Sequence, residues 1–492
     1  MATSYELQYP VTQATVTTAF DPNSTHTSQK DDINRTQSLH PNRLPSSKHH
    51  PSDYNPYDER WLSYNPHVER RSSSTPDVRE TVADLSREKL SVENTRTEAE
   101  GGVRGWMTIA GGWLVLFATF GTVYSFGVYE EFYVFRYLPN HTSSSIAWIG
   151  SFQLMMPYLL GIVSGKLFDN GYFHHLEIVG GLLFTFSLFM LSLAKPLQYY
   201  QIFLSQGLGM GIGAGLIFVP TISVTSHHFA KRRALAMGIL LTGISAGSTI
   251  FPIMLNHLIP KIGFGPAVRA SGYIVLPFSI VGNLLMRTGP LRSKRAPPDL
   301  KSFFRDVPYL WAILGSLLST FGVYMPLIYV QLYAVQHSVG ANLAFYSIAI
   351  MNGTSAFGRV AANYLADIYS PFGLQVFCTL GTAATIWAVL GIHDSGSLIV
   401  VSIFYGIFSG AWLALSLACL ASLARTPDEV GARAGIALAF ASFGSLGAAP
   451  IQGALLTRHF HWVRAVTFAA TIVMASAVCF VFMTILIRRR SS

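Results

Sequence analysis

From residue 106 onward, apolar runs of near-constant length alternate with short polar breaks. A helix needs about 20 residues to cross the hydrocarbon core of a bilayer. The runs fall at 106–128, 146–168, 176–194, 199–223, 234–256 and 266–287, then at 308–335, 342–364, 373–391, 397–421, 431–455 and 463–487. The pattern predicts an all-α membrane protein with twelve transmembrane helices. Before residue 103 it disappears. Stretches such as PSSKHHPSDYNPYDER and RRSSSTPD show neither helical nor strand periodicity. Such a segment buries too little apolar surface to offset its ordering entropy, so residues 1–103 are expected to form a disordered cytoplasmic tail. The opening MATSYELQYP lacks a basic region followed by an apolar core, and the run near Trp106 is expected to act as the targeting signal.

The polar breaks set the orientation. Lys231, Arg232 and Arg233 lie between the fourth and fifth runs, within FAKRR. Arg287, Arg292, Lys294, Arg295, Lys301 and Arg305 lie between the sixth and seventh, and Arg488, Arg489 and Arg490 follow the twelfth. With alternating helices all of these share one side, here called the base-rich end. The positive-inside rule makes that side cytoplasmic, with both termini inside. Lys231, Arg232 and Arg233 are therefore topology anchors. The Asn140-His141-Thr142 glycosylation sequon falls in the first external loop of this arrangement. The formal charge of +9 does not point to nucleic acid, because its bases sit in loops between apolar runs. Only 12% of residues are charged, against about 25% in soluble domains. Cys378, Cys419 and Cys479 all lie within apolar runs, which indicates neither a metal site nor a disulfide framework. No cofactor is expected.

The basic linker, 288–307, divides the chain into bundles at 104–287 and 308–487, with a C-terminus at 488–492. A weak repeat relates them. GKLFD ends the second run at Asp169 and NYLAD ends the eighth at Asp367, 198 positions later. Gly247 and Pro252 in the fifth run are echoed by Gly447 and Pro450 in the eleventh. Two pseudo-symmetric six-helix bundles are a transporter architecture, with substrate bound near the midplane between them. Gly243 and Gly247, four residues apart, put small residues on one helix face, which permits close packing or sliding.

These residues resemble the major facilitator superfamily. Gly165, Leu167 and Asp169 match the start of its loop motif after the second helix, which implies a gating role for Asp169 and, by the repeat, Asp367. The basic residues that usually follow are replaced by Asn170, His174 and His175. Within the superfamily the chain resembles the monocarboxylate porters, especially their fungal branch. EGGVRGW (100–106) is similar to that family's first signature, with Val103 in place of the aromatic and one extra residue. HFAKRRALAMGILLTGISAGSTIFP is similar to its second, and GFGPA echoes a later segment with Phe264 for Trp. The resemblance spans about residues 100 to 487.

A charge inside the bilayer is expensive and usually functional. Arg359 in the eighth run is the clear candidate, able to hold a carboxylate through two parallel hydrogen bonds. The resemblance implies the same anion-binding role. The alternatives are that Arg359 reaches the cytoplasmic surface or pairs with Asp367. The proton-coupled porters carry a lysine where Tyr124 stands and an aspartate where Ser355 stands. These departures argue against lactate-type proton symport. Tyr124, Gln153, Asn352 and Tyr324 are candidate substrate contacts, with Gln206, Tyr329 and Trp412 as further polar or aromatic candidates. The sequence shows no GxSG, HExxH or GxxxxGK[ST] pattern, so an enzyme is not expected. The predicted function is secondary transport of a small or medium organic acid, or a related metabolite, by alternating access. The partners are that compound and the lipid bilayer; any accessory membrane partner is unknown. Efflux of a fungal secondary metabolite and a transporter-like nutrient sensor are the alternatives. The expected location is the plasma membrane, with the vacuolar membrane as the other candidate.

Overall fold

A computed structural model describes residues 101–289, 300–337, 339–424, 429–456 and 461–491. No strand occurs among the described residues. Twelve long helices follow in order: α1 Gly102–Tyr137, α2 Ser145–Asp169, α3 Phe173–Ser192, α4 Tyr199–His227, α5 Arg233–Ile262 and α6 Phe264–Leu285 form the first half. The second half comprises α7 Val307–Gln336, α8 Ala341–Ile368, α9 Pro371–Gly391, α10 Ser395–Ser422, α11 Val430–Leu456 and α12 Trp462–Arg490. A short helix, Leu300–Phe303, precedes α7. Eleven of these twelve are long and apolar enough to cross a membrane. The other, α8, is 28 residues long but more polar, because Asn352, Ser355, Arg359, Asn363 and Asp367 interrupt it.

The tail expected at 1–103 falls outside the described residues except at its end, as do linker positions 290–299. Several helices run past their apolar stretches, α5 among them, which continues to Ile262. α1 begins at Gly102 and continues to Tyr137, and α12 continues through Arg490 rather than ending at 487. Helical hydrogen bonding extends past the apolar stretch, so hydrophobic length underestimates helix length.

Both halves break their first helix at matching places. α1 is interrupted at Tyr124–Ser125 and α7 at Tyr324. In α7 the cause is Pro326, which lacks an N–H and crowds the carbonyl four residues earlier. In α1 the Ser125 hydroxyl donates to the Gly121 carbonyl at 2.8 Å, a back-bond that bends helices. The breaks turn Tyr124 and Tyr324 toward the space between the halves.

The two segments that carried the porter resemblance pack on each other at the base-rich end. The Gly101 N–H donates to the His228 carbonyl at 2.8 Å. The Phe229 ring lies edge-on to Trp106 at 5.3 Å. Gly101 has φ +92°, and a Cβ there would lie 2.5 Å from Phe229, so glycine is required on both counts.

Candidate functional site

The halves meet along two seams, α2 against α11 and α5 against α8. Between them, at the level of the α1 and α7 breaks, lies a small cavity lined by Tyr124, Tyr324, Asn352, Ser355, Arg359, Tyr405 and Trp412, among others. Its open space of about 30 Å³ suits about two water molecules. A second cavity, toward the base-poor end, shares Tyr124 and Leu327 with it and adds Glu131, Thr249, Pro252 and Gln331.

Arg359 is 5% exposed. Its Nη1 donates to the Leu241 carbonyl of α5, in the other half, at 2.7 Å. Its Nε has no hydrogen-bond partner among the described residues, and neither has the Trp412 Nε1. Tyr124 and Tyr324 line the cavity with Arg359, and the Tyr158 and Tyr324 hydroxyls are 2.8 Å apart across the seam. The Ser245 and Ser355 hydroxyls join the halves at 2.7 Å, and Asn352 Nδ2 donates to the Ser248 carbonyl at 3.3 Å. A buried cation and two orphaned donors thus converge on one cavity. Each unmade buried hydrogen bond costs about 1–3 kcal/mol, which an acceptor-bearing ligand would recover.

At the base-rich end the seams are shut. Asp367 Oδ1 and Oδ2 accept from the backbone N–H groups of Ala234 and Leu235, at 3.0 and 2.8 Å. A carboxylate of α8 thereby caps the N-terminus of α5 across the seam, where unpaired N–H groups and the helix dipole favour negative charge. Asp169 sits in the corresponding place at the start of α11, its carboxylate within 3.1 Å of where a Gly431 Cβ would be. A Cβ on Gly165 would lie 2.8 Å from the Gly431 carbonyl, so only glycine permits this approach. The pattern of the Major Facilitator Superfamily matches residues 107–424. The chain belongs to the Major Facilitator Superfamily. It is an integral, multi-pass membrane transporter and not an enzyme.

An MFS-type transporter of Emericella nidulans is 36% identical over 73% of this chain and 81% of its own length. The aspyridones efflux protein of the same organism is 36% identical over 77% of each chain. The fujikurins efflux protein of Gibberella fujikuroi is 34% identical over 77% of this chain and 82% of its own. These names correct the emphasis of the sequence reading. They favour metabolite efflux over organic acid transport, and the sequence had ranked them the other way.

The structure brings Arg359, Tyr124, Tyr324, Asn352 and Trp412 of this superfamily member together at the cavity. It does not bring Gln153 there. Gln153 is fully buried in α2 and faces Met210 of α4 at 4.0 Å, so it is a contact within the first half. Gln206 accepts from the Tyr133 hydroxyl at 2.5 Å, and the Tyr329 hydroxyl donates to the Ala449 carbonyl at 3.0 Å. Neither lines this cavity. Arg359 neither reaches the surface nor pairs with Asp367, which is occupied by α5. Gly243 and Gly247 pack on Trp113, Phe117 and Gly121 of α1, within one half; Gly238 is the α5 glycine that meets α8, against the Arg359 carbonyl and Asn363. Sequence spacing could not separate these faces. Lys231 and Arg232 are exposed at the base-rich end, Arg233 begins α5 half-buried, and Asn140 is exposed in the turn after α1.

Three residues escaped sequence reading. Tyr158 and Tyr405 looked like ordinary aromatic packing within apolar runs. Arg433 looked like a helix-end base. It is fully buried, with Nη1 on Asp306 Oδ2 at 2.8 Å and Nε on Glu429 at 3.0 Å, and its guanidinium lies over Phe303 and Tyr309. Arg490 completes the cluster on Asp306 Oδ1 at 2.7 Å. Burial alone would push the Asp306 carboxyl up, yet the two guanidiniums bonded to it hold it below its usual value. The cluster ties the entry of α7 to α11 and to the end of α12.

Proposed function

We propose that this transporter exports an amphipathic organic metabolite by alternating access, with Arg359 as its substrate-binding cation. The convergence of the Arg359 guanidinium and the orphaned Arg359 Nε and Trp412 Nε1 donors on one aromatic cavity carries this reading. No carboxylate among the described residues neutralises Arg359. An acidic or phenolic oxygen on the substrate would supply both the countercharge and the missing acceptor. The efflux names of the relatives support the direction. The cavity as closed here has room for only about two waters, so the compound enters when one end of the seam opens.

In this reading the base-rich end is cytoplasmic, both termini lie inside, Asn140 is extracellular and the plasma membrane is the site of action. Gly238, Asp367, Asp169 and Gly431 form the inner gate, which is shut. The likeness of EGGVRGW and HFAKRR to the porter signatures is what supports placing the chain in the monocarboxylate porter branch. Inside-out vesicles bearing the chain, supplied with an extract of the producing cells, are expected to take up a compound that control vesicles leave outside. Equal uptake by both would overturn export and favour the sensor.

A further inference from the structure

Glu177, on α3, is a carboxyl that the site above does not use. It is 4% exposed, and no cation among the described residues pairs with it. Thr221 Oγ1 of α4 lies 2.7 Å from Glu177 Oε1 and 2.8 Å from the Ile217 carbonyl. A hydroxyl has one proton to give. Thr221 can serve both acceptors only by sharing that proton in a weaker three-centre bond; two full hydrogen bonds require the carboxyl to donate one, because a carbonyl cannot.

The other half contains the same arrangement with the ambiguity removed. Gln375, 198 positions after Glu177, lies on α9, and its Nε2 donates to Ser416 Oγ of α10 at 2.8 Å. Ser416 Oγ donates in turn to the carbonyl of Trp412, four residues back, at 2.8 Å. Thr221 and Ile217 stand in that relation too. The amide of Gln375 is a neutral donor, and a protonated carboxyl is its nearest isostere.

We propose that Glu177 is a proton-binding site of the transporter, protonated while the base-rich end is closed and ionised when that end opens. This rests on the transport reading for its coupling, though not for its protonation. Thr221 packs on α1 at Gly112, where Leu240 of α5 packs too: a Cβ on Gly112 would lie 3.0 Å from Thr221 Cγ2 and 2.7 Å from Leu240 Cδ1. α5 is the helix whose start Asp367 holds. Releasing that hold lets α5 move and water reach the wedge; the Glu177 O–H bond then breaks and its proton passes to that water. Three histidines of this end have partners of their own. His174 bonds to Asn283 of α6, His227 stacks on Phe168, and His228 meets the Arg287 carbonyl.

The test is infrared spectroscopy of the full-length protein in lipid, wild type against Glu177→Gln, from mildly acidic to mildly alkaline pH. The Gln375–Ser416 pair indicates that an amide fits this geometry, so the variant is expected to fold. The wild type should keep a protonated-carboxyl carbonyl band at neutral pH that the variant lacks. In vesicles loaded with cell extract, a pH gradient should speed release by the wild type alone, while exchange at equal pH continues in both. Absence of the band in the wild type, its survival in Glu177→Gln, or an unchanged gradient effect in the variant would overturn the proposal. Loss of all transport in both would count against the transport reading, and the infrared band would still decide protonation.

Discussion

At Arg359 the guanidinium bonds one backbone carbonyl, lines a cavity with Tyr124 and Tyr324, and pairs with no carboxylate among the described residues. Arg359→Lys keeps the charge but loses the planar fork, and transport is expected to fall about tenfold or more. Trp412→Phe keeps the ring and removes the orphaned donor. Affinity for the exported compound should weaken by up to about tenfold, the equivalent of one ordinary hydrogen bond. Concentration dependence of vesicle uptake reads both, and unchanged kinetics in both variants would remove this pair from the site. Arg359 was legible in the sequence because a charge within an apolar run is conspicuous. Tyr158 and Tyr405 were harder to place, because an aromatic in a membrane helix is most often packing. Gln153 was misplaced for the converse reason: a polar side chain looks like a ligand contact until the facing helix is known. Glu177 sits one turn into α3, where a carboxyl reads as a solvated helix end, and only the fold shows it enclosed.

The helices themselves were legible from apolar run length, because the bilayer imposes that length on any spanning segment. Their extensions were not, since polar residues at the membrane surface continue the same hydrogen bonding. Which helices touch was also hidden. Gly238, Gly243 and Gly247 share a sequence context, yet the first meets α8 and the others meet α1. The proposed gate between α8 and α5 includes the Asp367 cap, and a cap of this kind contributes about 1 kcal/mol. Asp367→Asn should therefore speed amide exchange at Ala234 and Leu235 about fivefold, measured by hydrogen–deuterium exchange; unchanged protection would show that the cap does not hold the gate. The Arg433 cluster gives a second check. The Asp306 carboxyl lies below its usual value when folded, so its contribution is complete above the ordinary aspartate range and is lost as pH falls through the lowered value. Thermal stability should fall with acid in the wild type and fall less steeply in Asp306→Asn. That variant should start about 1.5–3 kcal/mol less stable, because Arg433 loses its charged bond to Asp306 and keeps only Glu429. An acid profile as steep in the variant as in the wild type would contradict this role.

Across the whole molecule, the repeat seen faintly in GKLFD and NYLAD becomes physical. Asp169 and Asp367 meet opposite halves, Tyr124 and Tyr324 sit at matching breaks, and Glu177 and Gln375 each meet a hydroxyl of the next helix. Symmetry of this kind permits two closable ends around one central cavity, and in the proposed function the asymmetric Arg359 supplies the binding charge. The most direct test compares the metabolites of cells and medium for three strains: wild type, a strain lacking the protein, and Arg359→Ala with membrane insertion verified. The account predicts a compound that the wild type releases and that both other strains retain. A profile identical in all three, or normal release by Arg359→Ala, would contradict it.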